Sequence, residues 1–272
     1  MLKIEKEKTI QRKRELLTLY KNYYCENGIC KLYKICSQQA VTDGLVNGYN
    51  SSFAAMVGDN YDIIVNGKAI RILIVGKEGR FKNECSNSLF SPKRLIGFLD
   101  EGKVNLHYRE TYKMLCEMLN YNWVNNSIED TNKFLYKQDS VLTCFALTNM
   151  YRCAFKEHSE QVSNIKNYPE QTKNCLEILK EEIKILEPTI IILQKSGFTA
   201  DDISPDSTEI FETIYYSNAL KAYIIESIHP RNYGKWYNDG YPKFSKAVSR
   251  LRLLEALPPL DFSTTDLINA LT

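Results

Sequence analysis

The sequence predicts an α/β fold: a three-layer α/β/α sandwich around a central, mostly parallel four-stranded sheet. Two observations lead there. Four short aliphatic runs poor in charge recur, at residues 69–75, 141–147, 189–193 and 220–228. Runs of that kind mark strands buried on both faces. Between them lie amphipathic stretches with apolar residues at helical spacing, and strands that alternate with helices build parallel sheets through crossover connections.

In order, residues 9–24 place Ile10, Leu16, Leu17, Tyr20 and Tyr24 at helical spacing among Lys and Arg, which predicts an amphipathic helix. Residues 25–36 are dense in cysteine and read as a loop or turn. Residues 37–66 are rich in Gly and Asn and read as irregular, with a hairpin strand at 61–65 and Asn66-Gly67 as a tight turn into the central strand. A polar loop with Phe81 and Phe90 follows, and Ser91-Pro92 opens a short helix. Residues 107–119 are helical in period, and the second strand, 141–147, ends at Thr148-Asn149. Residues 155–168 are polar and read as a surface loop. Helix 169–186 carries Cys175, Leu176, Leu179, Ile183 and Leu186 on one face and stops at Glu187-Pro188. The third strand follows at once. An acidic loop at 200–206, the fourth strand ending at His229-Pro230, and a closing helix at 241–257 complete a single domain over residues 1–272. Its parts are an N-terminal helix and Cys-rich segment (1–66), the core (67–257) and a tail (258–272).

Composition narrows the function classes. With 272 residues and 44% hydrophobic content the chain can bury a sizeable core. Lys+Arg 35 against Asp+Glu 33 leaves a net charge of +2, which excludes global charge steering but allows a local basic patch. There is no apolar run of membrane-spanning length, and the first fifteen residues lack the apolar core of a signal peptide. The expectation is a soluble, cytoplasmic monomer. In such a compartment eight cysteines are thiols or metal ligands rather than disulfides.

Three polar segments follow aliphatic runs: Gly76-Lys77-Glu78-Gly79, Thr148-Asn149 and His229-Pro230. In a parallel sheet they share the carboxyl edge, where α/β proteins hold ligands. That edge would carry a carboxylate, an amide and an imidazole. The Gly-bracketed turn matches neither dinucleotide nor P-loop patterns, so its glycines serve close approach of a ligand. Cys25, Cys30 and Cys36 lie in one segment, with Cys153 and Cys175 further on. Four of these five thiolates suit an iron–sulfur cluster or a tetrahedral zinc. Cys116 and Cys144 sit in apolar patterns and read as core. The tract from His229 to Tyr237 interleaves basic and aromatic residues: Arg231 and Lys235 can meet phosphates, and Tyr233, Trp236 or Tyr237 can stack on bases.

These motifs, in this order, resemble the uracil-DNA glycosylase superfamily, especially its iron–sulfur branch. The segments that carry the resemblance are ILIVGKEG, ALTNMYRC, NCLEILKEEIKILEPTIIIL and IESIHPRN, over residues 25–254. The resemblance implies hydrolysis of an N-glycosidic bond in DNA with the target nucleotide flipped out. It assigns His229 and Glu78 as catalytic, with Gly76, Lys77, Phe90 and Asn149 against the base and Arg231, Asn232 and Lys235 toward DNA. Four of Cys25, Cys30, Cys36, Cys153 and Cys175 would hold a structural 4Fe-4S cluster, or zinc in the alternative. The first motif lacks the usual proline, displaces its acidic residue by one and brings in Lys77, and Arg231 replaces the usual serine. Together with the insertions these departures predict a modified base, for instance in viral or other foreign DNA, and so a role in antiviral defence. The competing classes are a non-catalytic nucleic-acid-binding module of this fold and a zinc-stapled α/β protein acting on nucleotides.

Overall fold

A computed structural model of the chain describes residues 2–23, 30–43, 46–49, 55–78, 106–119, 141–152, 154–156, 165–166, 168–194, 197–230 and 233–257. The N-terminal part holds β1 (Leu2–Ile4), α1 (Lys6–Tyr23), α2 (Tyr33–Thr42), β2 (Val46–Tyr49), β3 (Met56–Val57), β4 (Ile63–Val65) and β5 (Lys68–Ile70). The middle holds β6 (Ile72–Glu78), α3 (Leu106–Met118), β7 (Phe145–Tyr151), β8 (Ala154–Lys156), β9 (Ile165–Lys166), α4 (Pro169–Leu186) and β10 (Ile190–Gln194). Then come α5 (Ala200–Ile203), β11 (Thr208–Phe211), β12 (Ile214–Ser217), β13 (Ala222–Ser227) and α6 (Tyr241–Leu253).

The main sheet has seven strands, not four, in the order β11-β12-β13-β10-β6-β7-β3. Its centre, β13-β10-β6-β7, is mutually parallel and consists of the four strands expected from the aliphatic runs. The extra strands pair antiparallel at the two edges. Of these three, β3 has only two residues, β11 is a largely exposed edge strand without an apolar run, and β12 (IYYS) is four residues long and half-buried at its centre.

Alternation along the parallel strands divides the core in two. Ile72, Ile74, Ile190, Ile192 and Ile225 pack with Met114 and Leu115 of α3 and with Phe244 and Val248 of α6. Leu73, Val75, Ile191, Leu193 and Ile224 pack with Leu16 and Tyr20 of α1 and with Ile178 and Leu179 of α4.

Several boundaries differ from the expected ones for local reasons. The run 69–75 is two strands: β4 and β5 form a hairpin across Asn66 (φ 50°) and Gly67 (φ 81°), and the chain then crosses to the main sheet. The switch falls at Arg71, whose N–H donates to Thr189 Oγ1 and whose carbonyl accepts from the N–H groups of Thr189 and Ile190. The second strand starts four residues late, because Val141–Thr143 is a 3-10 turn, and it runs on through Asn149 to Tyr151. Cys36 lies in α2 rather than in a loop, and residues 37–66 contain the end of that helix and three short strands. The expected loop at 155–168 includes β8 and β9. Residues 200–206 begin as α5, capped by Thr199 Oγ1, which accepts from Asp202 N–H. Helix α4 matches its expected span; Pro169 opens it, and Glu187 closes it at φ 43°, its N–H donating to Ile183 carbonyl. No described helix is long and apolar enough to cross a membrane.

Candidate active site

The carboxyl ends of the four parallel strands align in register. Gly76 of β6 pairs with Asn149 of β7, Val75 pairs with Leu193 one step before Gln194, and Gln194 pairs with Ser227. Asn149, Gly76, Gln194 and Ser227 therefore form one row across the edge. By alternation all four point to the face covered by α3 and α6, the face of Leu147, Ile74, Ile192 and Ile225. His229 is half-buried and lies two residues beyond Ser227.

Within the row, Asn149 leans over Gly76. A Cβ built on Gly76 would stand 2.6 Å from Asn149 Oδ1, closer than real Cβ atoms come. The glycine leaves room for the carboxamide in this position, and a side chain there would push it back. Asn149 is buried to 7% exposure. Gln194 is wholly buried; its Nε2–H donates to Met114 Sδ at 3.7 Å, and its Oε1 accepts no hydrogen bond among the described residues.

On the opposite face, β7 is held from behind by a buried polar network. Glu182 of α4 accepts from Thr148 Oγ1 (2.8 Å), from Arg152 Nη2 (2.6 Å) and from Tyr20 Oη (2.5 Å). Arg152 Nη1 also donates to Thr148 Oγ1 (3.0 Å), and Tyr20 Oη accepts from Ala55 N–H (2.7 Å). Arg152 and Glu182 side chains are both fully buried. The network ties α1 and α4 to the strand that carries Asn149.

The same region gathers cysteines. Cys30, Cys36 and Cys175 are all buried. Burial pushes the Cys175 thiol up to about 12, against the Arg152 backbone N–H and guanidinium that favour its thiolate, while Cys36 and Cys30 raise it further. Burial also raises Cys36, against a hydrogen bond from Asn174 Nδ2. Arg152 immediately precedes Cys153, which with Cys25 lies outside the described residues. Among the described residues no group of three or more His, Cys, Asp or Glu side chains is placed to hold a metal ion. Cys116 and Cys144 are buried in the core, as their apolar surroundings in the sequence predict.

At the rim, the tract after His229 is only partly available to a ligand. Trp236 is fully buried, and its Nε1–H donates to Glu110 Oε2 (3.1 Å), so it belongs to the core and cannot stack on a base. Tyr237 is 38% exposed, its hydroxyl donates to Glu110 Oε1 (2.6 Å), and Lys113 Nζ sits 5.6 Å from its ring centroid. Lys235 is exposed, in the helical turn Tyr233–Lys235. A cleft of about 300 Å³ opens at the same edge, lined by Leu193, Phe198, Ser227, Ile228, Gly240 and Phe244.

Of the site residues expected from sequence, Gly76 and Asn149 come into contact, and His229 reaches the same edge with β10 between its strand and β6. The backbone of Lys77 and Glu78 continues β6, Glu78 pairing with Tyr151, rather than forming a turn; their side chains lie outside the described residues, as do Phe90, Arg231 and Asn232. Sequence reasoning missed Gln194 and the Arg152–Glu182 pair. Gln194 carried a usable signal, a polar residue closing the run Ile190–Gln194 in the manner of Thr148-Asn149. Nothing in the spacing of Arg152 and Glu182 pointed to their pairing.

A mostly parallel α/β sheet with an amide, a glycine and an imidazole along its carboxyl edge places polar side chains where open α/β proteins as a class hold ligands. Residues 66–252 match the family model of the Uracil DNA glycosylase superfamily, and the chain belongs to that superfamily. No curated protein matches the sequence. Members of the superfamily are DNA glycosylases, hydrolases that act on DNA and release uracil-like bases.

Proposed function

We propose that this chain hydrolyses the N-glycosidic bond of a uracil-like or modified base flipped out of DNA. The observation that carries the reading is Asn149, seated on Gly76 at the carboxyl edge of a superfamily member's sheet, with His229 two residues past the end of β13 at that edge. In hydrolysis the C1′–N bond breaks with its electron pair leaving on the base, water adds to C1′, and the water's proton is released. Asn149 offers a donor and an acceptor to the base edge. His229 donates a hydrogen bond to the base's carbonyl oxygen as negative charge develops there. Glu78 orients the water, or stabilises the cationic sugar. Phe90 stacks on the extruded base, and Arg231, Asn232 and Lys235 hold the phosphates.

The finer reading is a modified base, with foreign or viral DNA as its source. What supports it is the altered first motif, Gly76-Lys77-Glu78-Gly79, which begins in the strand that pairs with the Asn149 strand. The chemistry of the cysteines is what supports a resident metal group: Cys30, Cys36 and Cys175 are buried sulfurs, Cys175 lies beside Arg152, and Arg152 immediately precedes Cys153. Cys30, Cys36, Cys153 and Cys175 would hold a 4Fe-4S cluster, zinc being the alternative and Cys25 the competing ligand. When bound, the group supplies a crosslink between the N-terminal segment and α4, not a redox step.

The test is base release from uracil, deaminated-purine and modified-cytosine oligonucleotides, read as alkali-labile strand cleavage. Wild type is expected to cleave at least one, and Asn149→Ala and His229→Ala to lose at least about 10²-fold while remaining folded, as removal of such groups does. Binding of DNA with no base released from any substrate would instead identify a non-catalytic module. Metal analysis of anaerobically purified protein is expected to give iron with visible absorbance lost in Cys175→Ser; zinc would establish the alternative.

A further inference from the structure

We infer that Gln194 is a second base-reading carboxamide, and that it selects a base bearing an exocyclic amino group. The inference rests on the glycosylase reading above and names its substrate class.

Gln194 closes β10 in the row of Asn149, Gly76 and Ser227, on the same face. Only Gly76 separates it from Asn149, and the Asn149 carboxamide leans over that glycine, so no other side chain in the row stands between the two amides. Their Cα atoms stand two strand spacings apart, about 10 Å. The orientation of the Gln194 amide follows from its neighbour. Met114 sulfur accepts hydrogen bonds and donates none, so the N–H end turns toward it and Oε1 turns away. That oxygen is buried without a partner among the described residues. A buried acceptor left unfilled is costly and calls for a partner, and at the strand end beside Asn149 a ligand donor would supply one.

Donor counting identifies the ligand. Asn149 presents one acceptor and a donor, which together satisfy the imide N–H and carbonyl of a uracil-type edge. The glycosidic nitrogen carries no hydrogen, so a uracil-type base has no further N–H for Gln194. An exocyclic amino group has two. One reaches Asn149 Oδ1, the other reaches Gln194 Oε1, and the adjacent ring nitrogen accepts from Asn149 Nδ2. The amino-bearing class, of cytosine or adenine type, satisfies both carboxamides together, while Ser227 Oγ donates to the Ile228 carbonyl.

The experiment pairs each amino-bearing base with its deaminated counterpart in the same oligonucleotide and measures the ratio of release rates. The wild type is expected to favour the amino base by at least about tenfold, since a site built to hydrogen-bond a group rejects the analogue that lacks it. Gln194→Met keeps length and packing but removes the acceptor, and is expected to collapse that ratio toward one. Gln194→Glu keeps an acceptor and is expected to preserve the preference. Affinity for the free bases gives a readout independent of turnover: cytosine or adenine is expected to bind more tightly than uracil or hypoxanthine, and Gln194→Met to abolish the difference. A wild type that prefers the deaminated member, or a ratio unchanged in Gln194→Met, overturns the inference and leaves the glycosylase reading standing. Absence of release from every oligonucleotide overturns both.

Discussion

Gly76→Ala tests the geometry of the candidate site with a single methyl group. The new Cβ would lie 2.6 Å from Asn149 Oδ1, and ordinary van der Waals contact begins at 3.4 Å, so the carboxamide must retreat by about 0.8 Å. Displacement of a positioning group by about 1 Å can cost about 10²-fold in rate. Gly76 lies within a regular strand, so alanine adds crowding and not backbone strain. Crowding of this kind costs about 1–3 kcal/mol in a well-packed core. The expected outcome is a variant that melts somewhat lower, still binds DNA, and releases base about 10–100-fold more slowly. Single-turnover base release separates the chemical step from DNA binding, and a urea melt checks the fold. Wild-type single-turnover rates in a folded Gly76→Ala protein would refute the claim that Asn149 acts from its position over the glycine.

Two further predictions concern what holds the site in place. Glu182→Ala leaves Arg152 charged and buried, strands the hydroxyls of Thr148 and Tyr20, and is expected to destabilise the protein by about 3–5 kcal/mol in urea unfolding. The double variant Arg152→Met/Glu182→Leu is expected to recover much of that loss; a Glu182→Ala cost below about 1 kcal/mol would contradict a paired, buried network. Asp206 accepts from Ser204 Oγ, Ala219 N–H and Ser217 Oγ, and these bonds hold its carboxyl at about 2 against an ordinary 3.8. Its folded pKa is depressed, so the contribution is complete above 3.8 and is lost as pH falls toward 2. Carboxyl chemical shifts followed by NMR should show that midpoint, and a midpoint near 3.8 would remove the assigned bonds.

What could be read from the sequence, and what could not, follows from the range of each interaction. Strands β6, β7, β10 and β13 are buried on both faces, so each leaves a continuous aliphatic run that needs no partner to be recognised. The exposed edge strand β11 leaves no such trace, because solvent accepts almost any side chain there. Breaks within apolar runs were equally silent: Arg71 changes sheets through bonds to Thr189, a residue 118 positions away. The same distinction divides the site. Asn149 and His229 stand out because a polar residue follows an apolar run, whereas the Glu182–Arg152 pair forms only once α4 lies against β7. Trp236 shows the opposite error. A basic-aromatic tract looks like a nucleic-acid surface, but α3 supplies Glu110 as a partner for its indole and draws the ring into the core.

The strand order decides where a base can lie. Asn149 on β7 and Ser227 on β13 are three strands apart, about 14 Å between Cα columns, with His229 two residues beyond. An amide and an imidazole that close on one ring must reach inward from both sides of that span. Between them in the row lie Gly76 and Gln194. The glycine takes the Asn149 carboxamide, and Gln194 presents an oxygen that nothing described within the protein fills. Under the inference drawn from Gln194, a base at this edge is expected to enter with a hydrogen-bond donor toward β10. On that inference β10, the strand between the two recognisable motifs, takes part in recognition beside the motifs themselves.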